Sequence, residues 1–152
     1  MIVSNIYHSP PIALAELDPE FTRADIQFHN LDHSGASYEG RVFFNNTDAD
    51  GATEATLANG YAGSFHIFGH GGCFGDEGHC DVRPRRTYDP RPAHHLTPAT
   101  KIVIATEAVG AVLYSNDQTL TITVVPVVTS LTEKSGPDNV LSFESVRIVT
   151  YR

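Results

Sequence analysis

The run Thr119–Val128 sets the terms for the whole chain. Leu120, Ile122 and Val124 alternate with Thr119, Thr121 and Thr123, the period of a strand with one apolar and one polar face. Such a strand needs neighbours, and the sequence supplies them. Ala24–His29 puts Ile26 and Phe28 on one face, and Gly40–Phe44 carries Val42, Phe43 and Phe44. Tyr61–Phe68 sets Tyr61, Gly63, Phe65 and Ile67 on one side, and Lys101–Ala105 holds Ile102 and Ile104. Val146–Tyr151 turns Val146 and Ile148 inward and Arg147 outward. Pro126 lacks the N–H that a ladder needs, so it predicts an edge or a bulge within the alternating run. One segment has helical spacing: Thr106 is placed to cap Glu107–Tyr114, with Val109, Val112 and Leu113 on one side and Gly110 weakening it. Six short strands, turn-rich joins and at most one short helix predict an all-β fold, an antiparallel β-sandwich.

The 152 residues fit one domain with a real core. Pro10, Pro11 and Pro19 make residues 1–23 an extended N-terminal arm, and residues 24–152 the sandwich domain. Hydrophobic residues at 41% and charged residues at 18% argue for a globular chain. Two long loops, Asn45–Gly60 and Gly69–Thr100, interrupt the strands, and loops of that length in a compact domain usually carry function. A net charge of −8 weighs against a nucleic-acid partner. No apolar run approaches the roughly 20 residues of a membrane helix. The first residues have neither a basic region nor an apolar core of a secretory signal, so the default address is cytoplasmic.

Eight histidines stand beside two cysteines, and histidine is the commonest metal ligand. The densest chemistry lies in Ser64–Asp81, with His66, His70, His79, Cys73, Cys80, Asp76, Glu77 and Asp81 among glycines. Thiolate and imidazole suit Cu(I) or Zn(II). On a strand His66 and His70 would share a face yet lie about 13 Å apart. The favoured ligand set is therefore His70, Cys73, His79 and Cys80, with His94 and His95 as additions from the next, Pro-flanked stretch. The blander alternative is a glycine-rich turn closed by a Cys73–Cys80 disulfide, with solvated histidines. In a reducing cytosol, nearby cysteines are more often thiols or metal ligands. Arg83, Arg85, Arg86 and Arg91 form the basic cluster, a grip for an acidic partner or a solvated loop. His29 and His33 flank a turn where they would face one another, or serve as structural histidines. Asn46–Gly51 imitates the start of a calcium loop but has Leu57 where the twelfth position needs Glu. No nucleophile motif, P-loop or dinucleotide fingerprint occurs, and no catalytic triad can be assembled.

The order of motifs carries a further expectation. Ser37–Asn45 ends in Val-Phe-Phe-Asn, and Gly60–His70 contains Ala62-Gly63-Ser64-Phe65 and ends at a histidine. Lys101–Leu113 gives a strand and a short helix, Thr119–Pro126 ends in Val-Val-Pro, and Val146–Ile148 closes the set. Over roughly residues 24–151 this resembles the C-terminal domain of plant-type polyphenol oxidases and related bacterial tyrosinases. The resemblance implies a β-sandwich that covers the dicopper site of an adjoining oxidase domain and keeps it latent. A dicopper centre of that family needs a helical bundle bearing six histidine ligands, and this sequence offers no such bundle. The expectation is therefore a non-catalytic accessory protein that shields, or helps to load copper into, a tyrosinase-like or other metalloenzyme in trans. The alternative is a stand-alone Cu- or Zn-binding protein or small metalloenzyme, using loop residues 70–80 with Asp76 or Glu77 as base. A third reading, the tail of a larger oxidase, is opposed by Met1 and by the arm before residue 24. An exposed strand edge would also allow pairing with a second copy.

Overall fold

The computed structural model describes residues 2, 3, 5–71, 73, 75–128 and 139–152. Gly72 and Phe74 of the Cys/His segment, and Met1, lie outside the described residues. The alternating run folds as two strands in one line, β8 (Thr119–Leu120) and β9 (Ile122–Val128). Before them come β1 (Ile2–Val3), β2 (Tyr7–His8), β3 (Ile12–Ala13), β4 (Arg23–Leu31), β5 (Tyr38–Phe44), β6 (Tyr61–Ile67), β7 (Ala99–Ile104) and helix α1 (Thr106–Tyr114); β10 (Ser145–Tyr151) ends the chain. Among the described residues all pairings are antiparallel and make three sheets. The first runs β1-β9-β5-β6 with β2 also on β9, the second runs β10-β4-β7, and β3 pairs with β8. The architecture is an all-β sandwich.

The two larger sheets face each other through an aromatic seam. Phe28 of β4 lies 4.7 Å from Phe65 of β6, ring centroid to ring centroid, and 5.4 Å from Phe143. Tyr7 adds to the far end, 4.7 Å from Phe143. Ile26, Leu31, Val42, Ile122 and Val124 fill the layer around them. Helix α1 lies over β4 and β6 and buries Ala108 and Val109. Tyr38 is buried in the same core, its hydroxyl has no partner among the described residues, and burial pushes its pKa up.

Several expectations change here. The threonine face of β9 is not wet. Thr123 is fully buried and Val125 and Val127 continue its face, packed by Phe43, Ala49, Ile6 and Tyr61. Loop 45–60 thus serves packing, since Ala49 closes that second small core. Pro126 is not on an edge strand. It lies opposite Gly40 of β5, and on its other flank falls in the break between β1, which pairs Val127 and Val128, and β2, which pairs Thr123 and Val124. The missing N–H is accommodated by interrupting the neighbour. In β6 a register shift between Val42 and Phe43 makes Ala62 an inserted residue. Ala62 therefore turns to the main core while Tyr61 packs on the outer cluster. In β7 it is Val103 that is buried, and Ile102 and Ile104 are 52% and 62% exposed. Thr106 does not cap the helix by its side chain. It is the first helical residue, and its hydroxyl accepts a hydrogen bond from the Ala24 N–H at 3.1 Å, tying α1 to β4.

The aromatic seam depends on a bare backbone in β5. A Cβ built on Gly40 would sit 2.3 Å from the Phe65 ring. Gly40→Ala should therefore destabilise the fold by about 1–3 kcal/mol, the usual range for overpacking. Phe65→Leu frees that space, so the double variant should lose less than the sum of the two single losses in urea denaturation; strict additivity would refute the contact.

Candidate metal centre

Strand β6 ends at Ile67, and the three residues after it decide where the chemistry lies. Gly69 passes so close to the β4–β5 connection that a Cβ would meet the Gly35 carbonyl oxygen at 2.2 Å. Its N–H donates to Ser37 Oγ at 2.9 Å. One residue on, the His70 N–H donates to the His33 carbonyl at 2.7 Å. Past the paired residues the chain leaves the β5–β6 register by two positions, and this backbone bond sets His70 against His33 in the β4–β5 connection, not His33 against His29.

Hydrogen bonding then fixes the ring protons. His33 Nε2 lies 2.7 Å from the Thr97 carbonyl oxygen, which can only accept, so Nε2 carries the proton. In the neutral ring His33 Nδ1 is then an acceptor, and His70 Nδ1, 3.0 Å away, must donate to it. His70 is left with its lone pair on Nε2. A histidine whose other nitrogen donates inward is the usual arrangement of an oriented ligand. His94 is the opposite case. Its Nε2 donates to the His79 carbonyl at 2.7 Å, and its Nδ1 accepts the Leu96 N–H at 3.1 Å. Neutral His94 has no free nitrogen, but it pins the backbone of His79 and stacks on His95 at 4.4 Å between centroids.

His95 sits at the centre of this group. Its ring lies 5.6 Å from that of His70 and 5.4 Å from that of His79. Its Nε2 is 3.6 Å from Cys73 Sγ. Ligand atoms of Cys73, His79 and His95 all lie within 4.8 Å of one another. Cys73 and Cys80 are joined as a disulfide, with Cα atoms 6.0 Å apart. Desolvation holds the His95 pKa below its ordinary value, and the nearby His94, His79, His70 and His33 push in the same direction.

The other sequence candidates lie apart from this group. His66 is exposed on β6 opposite Glu39. Asp76 and Glu77 are exposed, and the Asp76 carbonyl only closes a turn with His79 N–H at 2.9 Å. The basic cluster folds partly on itself: Arg85 donates to the Asp89 and Arg91 carbonyls, and Arg91 pairs with Asp89 at 2.5 Å, which lowers the Asp89 pKa. The Asp50 carboxylate caps its own turn through the Ala52 N–H and Thr53 hydroxyl, at 2.9 and 3.1 Å. His33 is the residue that spacing did not single out. The turn of the β4–β5 connection brings it to His70, through the backbone bond from the His70 N–H to the His33 carbonyl.

No family model and no curated protein matches the chain. Among solved structures it is similar to latent aurone synthase (polyphenol oxidase), with a TM-score of 0.54 and 14% identity, over 99% of this chain and 24% of that one. That likeness shows the fold. The chain spans about a quarter of the length of the oxidase it matches.

Three measurements check the arrangement. Long-range nitrogen–proton spectra above pH 7.5 should show His33 protonated on Nε2 and His70 on Nδ1; the reverse on either ring refutes the relay. In a proton-resolved titration His95 should titrate below the ordinary histidine value of 6.5. The unfolded chain then binds more protons than the folded loop just below pH 6.5, so the loop loses stability as pH falls through that window. The protection factors of its backbone amides, rates taken relative to the intrinsic rate at each pH, should fall on the acid side.

Proposed function

We propose that this chain is a covering module for a copper oxidase of the polyphenol oxidase type, acting on a partner in trans by shielding its entrance or assisting its copper loading. The observation that carries the reading is the fold likeness, which takes in 99% of this chain but only 24% of the oxidase chain. That asymmetry is what a module set beside a larger catalytic body would give. The remaining features agree. Among the described residues there is one α-helix, and it carries no histidine. The histidines lie on strands and loops, so dicopper chemistry is assigned to the partner. Phe68 and Tyr88, in the β6–β7 loop, are 81% and 97% exposed, and large apolar side chains held in water are suited to burial against another surface. Mixed with a polyphenol oxidase stripped of its own C-terminal region, the chain should lower diphenol oxidation saturably, or raise the copper content of apo-oxidase. No change in activity, copper content or co-elution would refute the reading.

A second reading is favoured by the Cys73, His79 and His95 group: a stand-alone protein that binds Cu or Zn through its own loop. Here the chain holds the metal whether or not an oxidase is present. Elemental analysis of untagged protein should find close to one metal per chain. Metal-free protein that takes up no copper or zinc under either oxidising or reducing conditions would refute it.

A further inference from the structure

We infer that the Cys73–Cys80 disulfide is the gate of a Zn(II) site of two sulfurs and two imidazoles: Cys73, Cys80, His79 and His95. The inference rests on the metal-binding reading above and adds its regulation.

One pair of donors already has the spacing of a coordination sphere. Tetrahedral zinc with Zn–S of about 2.3 Å and Zn–N of about 2.0–2.1 Å places sulfur and nitrogen about 3.5 Å apart. Cys73 Sγ and His95 Nε2 are 3.6 Å apart. His79 lies within 4.8 Å of both, and Cys80, which is outside that group of three, is brought to it by its bond to Cys73. His94 sets the frame for both imidazoles, bonding the His79 carbonyl at 2.7 Å and stacking on His95 at 4.4 Å. His70 stands one ring beyond, 5.6 Å from His95, and bounds the site on the sandwich side.

In the closed state the site lacks charge. Disulfide sulfurs are neutral and bind Zn(II) poorly, because the thiolate is the ligand. Two imidazoles alone then hold the ion weakly. A dithiol reductant opens the gate with two electrons. One of its thiolates attacks a cysteine sulfur and the Cys73–Cys80 bond breaks. Its second thiolate then displaces the first cysteine from the mixed disulfide, so the reductant leaves as its own disulfide and both cysteines are released as thiolates. Once separate, the two sulfurs can spread to the roughly 3.8 Å edge of the same tetrahedron. Zn(II) binds the two thiolates, and the two protons that the dithiol carried pass to solvent. The sphere becomes Cys₂His₂, a closed structural type.

The test compares three samples of untagged full chain: oxidised, reduced by a phosphine (which leaves as its oxide with oxygen from water) and freed of it without air, and the double variant C73S/C80S. Each is titrated with Zn(II) against a chromophoric chelator. The expected result is at least 100-fold tighter binding by the reduced protein than by the oxidised one, with C73S/C80S as weak as the oxidised form. The double variant opens the loop without supplying thiolate, so it separates the donors from the freedom of the chain. His79→Gln in the reduced protein should weaken binding at least 10-fold, and exposed His66→Gln should not. Equal binding by oxidised and reduced protein overturns the gate while leaving the metal reading in place. No binding in any sample overturns both.

Discussion

A strand with water on one side needs only every second residue to be apolar. β9 has no such side. Ile122 and Val124 face the main core, while Thr123, Val125 and Val127 face a second, smaller one closed by Phe43, Ala49, Ile6 and Tyr61. Burial on both faces requires cover on both, and the fold is arranged to give it. The second sheet and α1 cover one face. The N-terminal segment and loop 45–60 cover the other. At roughly 25 cal/mol for each Å² of apolar surface removed from water, two covered faces roughly double what one strand contributes. The position of β5, then β6, is set by β9, and the loop that begins at the end of β6 is held where β6 leaves it.

Most of the frame was legible in the sequence because period and turn chemistry are local signals. Ile26, Phe28, Phe65, Ile67, Val146 and Ile148 point inward as their alternation requires. The misreadings share one physical cause, which is that the partner strand overrides the local pattern. Ala62 and Tyr61 exchange faces because a bulge adds one residue to β6. Ile102 and Ile104 are apolar yet exposed because Val103 holds the inward register with Ile26. Thr123 is buried because a second layer lies over what alternation marks as a polar face. Thr106 bonds a neighbouring strand in preference to capping its own helix.

The loop chemistry was legible as composition and illegible as geometry. The density of His and Cys in residues 70–80 marks a place where donors gather. It does not say which nitrogen is free. That is decided by backbone carbonyls: Thr97 orients His33 and through it His70, and the His79 carbonyl accepts the hydrogen bond from His94 Nε2–H. Adjacent His94 and His95 look equivalent in sequence and have different roles in space, one a brace and one a donor. His33, a turn residue by its surroundings, becomes part of the site only because the β4–β5 connection folds back on the end of β6, a contact that lies two residues off the strand register.

His33 also has a mechanical meaning for the segment it touches. Its carbonyl holds the start of the β6–β7 excursion at His70, and its ring holds the end at Thr97. Both ends of that excursion therefore meet at one residue, and the sandwich experiences it as a closed circuit with no span to bridge. For such a circuit each doubling in length costs only about 0.6 kcal/mol of closure entropy. The excursion between those two clamps behaves as a cassette, free to be lengthened, shortened or exchanged wholesale while the layers beneath keep their registry.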